Sequence, residues 1–546
     1  MTAMGFVEEE LALMWGELLH VTGVGPGSRF GALGGDPGTA DRLADRIDTD
    51  LGARVDPARL LGADSLEAMA GLVREAMRAA EPGGAEPAAA GPRPGVRDER
   101  PPLSFAQQRL WFMQQLDPGS TLYNVPTVLR LHGALDRAAL ARALDALVAR
   151  HEVLRTTYAA SSGTPYQVIA PPAPVPLPCT DLADDPDPVA GAERIAAEEA
   201  AHVFDLAGAP PMTARLVRLG GTEHRLMLTF HHIAVDGASV TVLYRELGLL
   251  YGRSPEVLPE VTWHCADHAV AQRAWLTGRT LDSLITHWRA VLGDDPQAPV
   301  LPSDRPRPAT KSFRGAVATR DLRPELVRAV REFGRRERAT PNMTHLAALF
   351  ALLAGWAGTT DLTVGIPAAG RNRPEVQDMV GCLINMVPVR ARLDGGPGFR
   401  ELLARVRGAV LDATAHQDLP FDKLVETLVS RRGRDFMPVF RVMFSYLGAR
   451  RPPVLDGLDG CVLDLTGPRD TAKYDLSLYV EERGDGVALA LEYDTDLFGP
   501  DTPAALLAAY ERTLEEVIAV PDKPVPDLAA VRAIGPGTER NTDRDR

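Results

Sequence analysis

TEHRLMLTFHHIAVDGASV, residues 222–240, is the most informative stretch of this 546-residue chain. Its first half alternates large apolar side chains with other residues, at Leu226, Leu228 and Phe230, which is the period-two pattern of a half-buried β-strand. The predicted strand ends in two adjacent histidines, His231 and His232. Because successive side chains of a strand point to opposite faces, only one of the two can face a given cavity.

Further motifs accompany this strand along the chain. They are SFAQQRL at 104–110, RHEVLR at 150–155, HHIAVDG at 231–237, VGIPAAGRNRPE at 364–375, GCLINMVPVR at 381–390 and HQDLPFDKLVE at 416–426. In kind and in order they resemble the condensation domains of nonribosomal peptide synthetases, in the chloramphenicol-acetyltransferase-like superfamily. The resemblance extends from residue 101 to about residue 528. It implies an α/β fold with a two-lobed acetyltransferase-like body.

The resemblance also implies an active site in the H-H-x-x-x-D-G motif. It makes His232 the catalytic residue, with His231, Asp236 and Gly237 beside it. A neutral imidazole can accept a hydrogen bond from an amine that attacks a thioester, and the backbone N–H of Gly237 is a candidate oxyanion donor. The sequence leaves open whether His232 removes a proton or orients the amine. Taken without the other motifs, the pair is equally well explained as two ordinary, partly buried histidines.

Three residues outside the motif are implied as structural support of the site: Arg371, Arg155 and Asn385. The resemblance pairs Arg371 with Asp236 across the floor of the site. Asn385 and Ser239 have a plainer alternative role, which is to satisfy buried hydrogen bonds.

Apolar residues at helical spacing predict a small all-α bundle at residues 1–79. Three stripes mark its helices, at Leu11, Met14, Trp15, Leu18 and Leu19, at Leu43, Ile47 and Leu51, and at Leu66, Met69, Ala70 and Val73. A loop in this unit ends in FGALGGDP, residues 30–37. It resembles the F-x-x-L-G-G-D-S motif of carrier proteins, whose serine bears the phosphopantetheine arm. Pro37 occupies the serine position and has no hydroxyl. The resemblance therefore implies a four-helix carrier-like domain without a covalently bound cofactor.

Ser65, in LGADSL at 61–66, is a rival attachment site. If it carried the arm, two further helices would have to follow, yet a segment rich in proline and glycine comes shortly afterwards. The favoured interpretation is that Asp64 or Ser65 caps the last helix of the bundle. A modified Ser65 is the alternative.

Composition divides the chain at residues 80–102, where six prolines and four glycines accompany a single sizeable apolar residue. Such a segment cannot form a core and predicts a semi-extended linker. The predicted organisation is a carrier-like domain at 1–79, the linker at 80–102, lobes of the condensation domain at 103–270 and 271–532, and a polar tail at 533–546.

Charge and composition exclude several classes of function. With 59 basic and 73 acidic residues, the formal charge of −14 argues against a nucleic-acid or anionic-membrane partner. The four cysteines lie far apart without metal-binding spacing, which predicts buried, reduced thiols and no metal site. The amino terminus does not resemble a secretory signal, and the apolar stretch at 346–357 is too short to span a bilayer. The expected location is the cytoplasm.

Some positions depart from the condensation-domain pattern. Ala238 replaces a frequent tryptophan, CADHAVAQ at 265–272 replaces an aromatic-rich motif, and RGRDFMP at 432–438 is a degraded form of R-D-x-S-R-x-P. If these positions line the cavity or the lobe interface, the acceptor side of the site is reshaped.

The resulting functional prediction is a stand-alone or excised condensation enzyme, since no adenylation or thioesterase motif follows the body. It would form an amide, or an ester, between a carrier-bound acyl or peptidyl donor and an amine acceptor. Donor and acceptor carrier proteins would act in trans and supply the phosphopantetheine arms, or the acceptor would be a free amine. Two alternatives remain: an acyltransferase that uses coenzyme A or a carrier with a soluble acceptor, and a non-catalytic recruitment domain, a class in which the histidine motif is usually altered.

Overall fold

The computed structural model describes residues 6–533, apart from residues 20, 22–23, 52, 80–96, 253–257, 430–437, 449–451, 465–469 and 485. Residues 80–96 of the predicted linker, 432–437 of the degraded motif and 534–546 of the polar tail therefore lie outside the described residues. Among the helices that are described, none is long and apolar enough to cross a membrane.

The described part of the chain contains α-helices and β-strands throughout. The helices are α1 Phe6–Leu19, α2 Pro37–Leu51, α3 Pro57–Leu61, α4 Leu66–Ala79, α5 Phe105–Leu116, α6 Arg137–Arg150, α7 Pro188–Ala200, α8 Gly237–Gly252, α9 Cys265–Trp275, α10 Gly278–Leu292, α11 Pro324–Arg336, α12 Pro341–Ala357, α13 Pro374–Gln377, α14 Phe399–Ala415, α15 Phe421–Leu428, α16 Asp501–Ala519 and α17 Ala529–Arg532. The strands are β1 Asn124–Gly133, β2 Thr156–Ser161, β3 Thr164–Ile169, β4 Cys179–Asp181, β5 Met212–Gly220, β6 Glu223–His231, β7 Gly315–Leu322, β8 Asp361–Ala368, β9 Asn385–Arg392, β10 Val442–Leu447, β11 Leu458–Asp464, β12 Leu476–Arg483 and β13 Gly486–Asp494.

Helices α1–α4 surround one apolar core, in which Trp15 packs 5.0 Å from the ring of Phe30. Pro37 is the first residue of α2, where its missing N–H costs no hydrogen bond. Ser65 precedes α4, and its Oγ accepts a hydrogen bond from the N–H of Ala68 at 3.1 Å. This is the geometry of a helix N-cap. The structure thus places Ser65 in the capping role that the sequence favoured.

The first lobe, the N-lobe, is built on a five-stranded sheet of order β11-β1-β6-β5-β4. The central strand β6 is antiparallel to both of its neighbours. The sequence predicted a half-buried strand, but Met227 and Thr229 are as buried as Leu226 and Leu228. The reason is that α7 covers the second face, where Met227 packs with Ile195. Strand β6 is therefore a core strand, and the histidines at its end are held on a rigid element.

The second lobe, the C-lobe, contains a six-stranded mixed sheet of order β7-β13-β12-β10-β8-β9. The apolar stretch at 346–357 belongs to α12, most of which is buried in the core of this lobe. The stretch is too short for a membrane span but long enough for a core helix.

The two lobes do not divide the chain cleanly. Strand β11, from the second half of the chain, pairs with β1 and extends the N-lobe sheet. The predicted lobe boundary at residue 270 falls inside the single helix α9. The predicted C-lobe range of 271–532 therefore includes a strand of the N-lobe sheet, because the pairing of β11 with a distant strand leaves no local signal in the sequence.

The environment of the cysteines also differs from the prediction. All four are free thiols, and Cys265 and Cys382 are buried as expected. Cys179 is exposed and Cys461 is partly exposed, because β4 and β11, which carry them, are the two edge strands of the N-lobe sheet.

Candidate active site

His232 follows the last residue of β6, at the point where the N-lobe meets the C-lobe. Its backbone N–H donates a hydrogen bond to the carbonyl oxygen of Tyr123, with an N–O distance of 2.8 Å. Its ring atom Nδ1 lies 3.7 Å from Sγ of Cys382, in the C-lobe segment that leads into β9. Burial raises the pKa of the Cys382 thiol well above its usual range, so Cys382 is a neutral neighbour rather than a nucleophile.

The surroundings of His232 keep its imidazole neutral. Its pKa is lowered from 6.5 to about 4, chiefly by burial and then by the positive charge of Lys473. The carboxylate of Asp236 and hydrogen bonds to the backbone of His232 and Val235 oppose this shift only in part. At neutral pH the ring therefore has a free lone pair that can accept a hydrogen bond from an amine.

His231 points to the opposite side of the strand, into the core of the N-lobe. Its ring packs edge-on against Phe204 at 5.8 Å and is 1% exposed, and its Nδ1 accepts a hydrogen bond from the N–H of Ile233 at 3.1 Å. Burial lowers its pKa to about 3. His231 thus has the surroundings of a structural residue that shapes the turn after β6, and only His232 faces the lobe interface.

Asp236 and Arg371 form a buried ion pair that joins the lobes, with Arg371 Nη2 2.8 Å from Asp236 Oδ1. The same guanidinium donates from Nη1 to the backbone carbonyls of Val376 and Met379, at 2.8 and 2.6 Å. Asp236 also accepts hydrogen bonds from the N–H of Leu383 at 3.0 Å and from the N–H and Oγ of Ser239 at 2.8 Å each. Although burial alone would raise the pKa of Asp236, Arg371 and these hydrogen bonds hold it below its usual value.

Gly237 is the first residue of α8 and is exposed. A Cβ atom added there would have no neighbour within 4 Å, so open space lies in front of this backbone. Its N–H stands at the amino-terminal end of a 16-residue helix, where the helix dipole favours negative charge. The motif thus combines a neutral imidazole, a helix amino terminus and room for a ligand.

Comparison with known protein families matches residues 98–533 to the condensation domain family. The chain belongs to the condensation domain family. The family and the two-lobed acetyltransferase-like α/β fold predicted from the sequence are therefore confirmed.

Relatives of this condensation domain are parts of much longer synthetases. One of the linear gramicidin synthase proteins of Brevibacillus parabrevis is 36% identical over 541 residues, which cover 96% of this chain and 7% of that protein. Phosphinothricin tripeptide synthetase PhsC of Streptomyces viridochromogenes is 40% identical over 437 residues, which cover 79% of this chain and 40% of that protein. The chain thus spans less than half the length of these relatives.

Among solved structures, the X-domain from teicoplanin biosynthesis is similar to this condensation domain. It is 32% identical, with a TM-score of 0.71 over 80% of this chain and 98% of that one. A structure of the X-domain in complex with OxyB, also 32% identical, gives a TM-score of 0.72 over 81% of this chain and 99% of that one.

The condensation domain holds the two remaining support residues in different places. Asn385 is the first residue of β9, three positions after Cys382, and its Nδ2 donates to the carbonyls of Gln417 and Leu419 at 2.8 and 2.7 Å. Its Oδ1 accepts a hydrogen bond from the N–H of Phe421 at 3.0 Å, so Asn385 fixes the 417–421 loop. Arg155 instead bonds the carbonyl of Val148 and that of Ala170. It braces the β2–β3 hairpin against α6 and is not brought to the site, because its position in the RHEVLR motif is set by the N-lobe core.

Lys473 is a member of the site that the sequence analysis missed. It lies shortly before β12, and its Nζ is 4.6 Å from the ring centre of Tyr123, whose carbonyl holds the backbone of His232. Burial lowers the pKa of Lys473, and the charge of Glu492 offsets part of this effect. In the sequence it is one lysine before an alternating strand, a pattern typical of a solvent-facing side chain.

A second cation, Arg109, reaches between the lobes from α5. Its Nε lies 3.7 Å from Oδ1 of Asp422 in α15, and the guanidinium stands 5.9 Å from the ring centre of Phe421. The sequence placed Arg109 in a family motif without a role. Because its partner is more than three hundred residues away in sequence, spacing could not have revealed the contact.

The departures from the aromatic pattern at 265–272 lie behind the segment that binds Arg371. Ala271 is fully buried in a small cluster with Trp263, Val376, Met379 and Leu383. Cys265 is also buried, which raises its pKa to about 12. These smaller side chains therefore form part of the packing beneath the Arg371 segment. The degraded motif at 432–437 lies outside the described residues.

Proposed function

We propose that this condensation domain forms an amide between a carrier-bound acyl or peptidyl thioester and an amine, with His232 acting on the amine. The observation that carries the proposal is the neutral imidazole of His232, fixed at the lobe interface by the Tyr123 carbonyl. The Asp236–Arg371 pair supports it by fixing the turn that carries His232 to the C-lobe. Open space in front of Gly237 leaves room for the reacting carbonyl.

The proposed reaction uses these groups in one sequence of bond changes. The amine nitrogen attacks the thioester carbon, and the carbonyl oxygen becomes negative in the tetrahedral adduct. His232 accepts the hydrogen bond of the amine, and the N–H at the start of α8 stabilises the oxygen. The C–S bond then breaks, and the proton lost by nitrogen ends on the released thiol. An alcohol acceptor would give an ester by the same steps.

The phosphopantetheine arms would be supplied by donor and acceptor carrier proteins acting in trans, or the acceptor would be a free amine. We propose a cytoplasmic location, which suits the four free thiols of the chain. The net charge of −14 supports the absence of nucleic-acid and membrane partners.

We propose further that the α1–α4 bundle is a carrier-like domain that cannot bear an arm. Incubation with coenzyme A and a broad-specificity phosphopantetheinyl transferase is expected to leave the intact mass unchanged, because Pro37 has no hydroxyl and Ser65 Oγ caps α4. Pro37→Ser is the matched variant. An arm found on Ser65 in the unmodified protein would contradict the proposal.

The proposed reaction is tested by reconstitution. The protein is mixed with acyl-loaded carriers and with amine acceptors, either carrier-bound or free, and the products are followed by intact mass. Amide on the acceptor carrier supports the proposal. Product formed only with acyl-coenzyme A and a soluble acceptor would support the acyltransferase alternative instead.

A recruitment role is the second candidate function, and the likeness to the X-domain favours it. The X-domain was solved in a complex with OxyB, and it is 32% identical to this chain. A recruitment domain would bind a partner enzyme without turnover. Partner binding by the protein, together with no amide in the reconstitution, would select this candidate.

The charge of Lys473 predicts the pH dependence of catalysis. With the pKa of His232 near 4, protonation of its imidazole is not expected to lower kcat/KM between neutral pH and about pH 5, where only the protonation of the amine acceptor changes the rate. Lys473→Met should raise that pKa by the part that the charge of Lys473 contributes, while burial continues to lower it, and should move the acid limb to higher pH. Lys473→Arg should leave the limb in place. All variants are measured with the same amine acceptor. The protonation of that acceptor then affects every pH profile equally and cancels in the comparison.

Folding must be followed at each pH of this experiment. The pKa values of His231 and His232 are lower in the folded state than the 6.5 of an exposed histidine. The folded state then binds fewer protons than the unfolded state, so its stability decreases as the pH falls below about 6.5. Circular dichroism separates that effect from the titration of His232. A limb that stays in place in Lys473→Met would contradict the assigned role of the lysine.

A further inference from the structure

Three side chains far from His232 in sequence converge at the contact between α10 and the end of α14. His287 Nε2 lies 3.2 Å from Asp412 Oδ2, and His416 Nδ1 lies 3.4 Å from Asp412 Oδ1. Each residue offers one ligand atom, and the three atoms lie within 4.8 Å of one another. The two imidazole rings are parallel, with centroids 3.3 Å apart.

We propose that His287, Asp412 and His416 form a binding site for a divalent transition metal, with Zn²⁺ as the best match. Two imidazole nitrogens and one carboxylate oxygen are ligands that Zn²⁺ commonly accepts, and water would complete the coordination. Mg²⁺ and Ca²⁺ are poorer matches because they prefer oxygen ligands. The sequence predicted no metal site, since His287 and Asp412 are 125 positions apart.

The unused hydrogen-bonding capacity of His287 supports this proposal. Its Nε2 is buried and makes no hydrogen bond, although the Asp412 carboxylate is close. A ring nitrogen buried without a hydrogen bond is costly in a folded protein. A metal ion between this nitrogen and the carboxylate would give Nε2 a partner.

The backbone is already arranged for binding. The carbonyl oxygen of His416 accepts a hydrogen bond from Trp288 Nε1 at 3.2 Å, so α10 and the end of α14 are joined beside the cluster. Asp412 and His416 are four residues apart, on one face of the helix. Two ligands of a tetrahedral ion with bonds of about 2.0–2.1 Å lie about 3.3 Å apart, which is close to the 3.2 Å between His287 Nε2 and Asp412 Oδ2. The Nδ1–H of His416 donates to the Asp412 carbonyl oxygen, so the ligand atom of His416 is Nε2.

The required change is a rotation of a side chain. Lone pairs in the planes of two parallel rings cannot meet at one ion, so one imidazole must turn about χ2 and leave the stack. His287 is the ring that can do so, because the Nδ1 of His416 is held 2.8 Å from the Asp412 carbonyl oxygen.

Metal binding would affect the neighbourhood of the active site through the 417–421 loop. This loop follows His416 directly and is held by Asn385. A metal that joins α10 to His416 would fix the start of this loop. Because Asn385 already holds residues 417–421, the loop would then be held on both sides. The site does not contact His232, so its test does not depend on the proposed function.

The test uses the full chain, free of any affinity tag and treated with a chelator. Zn²⁺ is titrated against a chromophoric chelator, Co²⁺ binding is followed by visible absorption, and melting is recorded with and without Zn²⁺. We expect one equivalent of Zn²⁺ to bind, a rise in the melting temperature, and a Co²⁺ spectrum with nitrogen ligands. His287→Gln and His416→Gln should each weaken binding by more than about tenfold.

His132→Gln is the matched control. His132 is exposed and lies 3.5 Å from Asp459, so it reproduces a single His–Asp contact without the second imidazole. Its removal should leave the affinity unchanged. The proposal is overturned if Zn²⁺ does not bind at one equivalent, or if His287→Gln and His416→Gln, folded by circular dichroism, bind as tightly as the wild type.

Discussion

His232→Ala is expected to lower kcat/KM for amide formation by about 10²–10⁴-fold, the range for loss of a group that assists proton transfer. The reason is that His232 is the neutral imidazole at the lobe interface, whereas His231 is enclosed by the N-lobe core. The fold should survive, because the contact that holds this segment is made by the backbone N–H of His232 and not by its ring. Single-turnover rates with a loaded donor carrier measure the effect.

A second substitution separates proton transfer from positioning. In the His232→Gln variant, the amide oxygen of the new side chain can still accept a hydrogen bond from the amine. That oxygen cannot be protonated at neutral pH. If His232 mainly orients the amine, His232→Gln should recover a large part of the rate. If His232 carries the proton, His232→Gln should be as slow as His232→Ala.

The exposed residue His132 supplies the control for the histidine substitutions. His132→Ala removes an imidazole from β1 at a position remote from the motif, and it should leave the rate unchanged. Wild-type turnover by His232→Ala would refute the catalytic assignment. It would also leave the intact motif without a chemical explanation.

The sequence predicted those parts of the site that depend on local periodicity. Alternation along β6 shows that His231 and His232 face opposite sides, and the helical stripes place Ser65 at the start of α4. Both features depend on residues within a few positions of each other. The family motifs added the pairing of Asp236 with Arg371, which the structure places at 2.8 Å.

The features that the sequence missed all depend on contacts between distant segments. The charge of Lys473 acts on His232 only because the start of β12 and the end of β6 lie at the same interface, and no spacing rule connects positions 241 residues apart. The pairing of β11 with β1 could not be predicted from the sequence for the same reason. For Arg155 the error is the reverse, because a family motif predicted that it supports the site. In the structure its hydrogen bonds stabilise the β2–β3 hairpin instead.

Asp236→Ala is expected to destabilise the protein by about 3–5 kcal/mol, the usual cost of leaving one charge of a buried pair without its partner. The side chains of Arg371 and Asp236 are only 8% and 3% exposed, so water cannot replace the lost carboxylate. The hydrogen bonds from Ser239 and Leu383 are lost as well. The measurement is the free energy of unfolding by denaturant, together with the melting temperature.

Two further variants show whether the ion pair itself is responsible. Asp181→Ala removes a carboxylate from an exposed pair with Arg218, with side chains 59% and 40% exposed, and should melt with the wild type. In Asp236→Leu combined with Arg371→Met no charge is left unpaired, so the double variant should be more stable than Asp236→Ala. The ion pair joins the start of α8 to the segment at 376–383, and the double variant replaces it by an apolar contact. The rate of amide formation by this variant should show whether an uncharged contact is enough to keep His232 at the lobe interface. If Asp236→Ala melts like the wild type and is nevertheless inactive, Asp236 acts in the chemical step and the structural assignment of the pair is wrong.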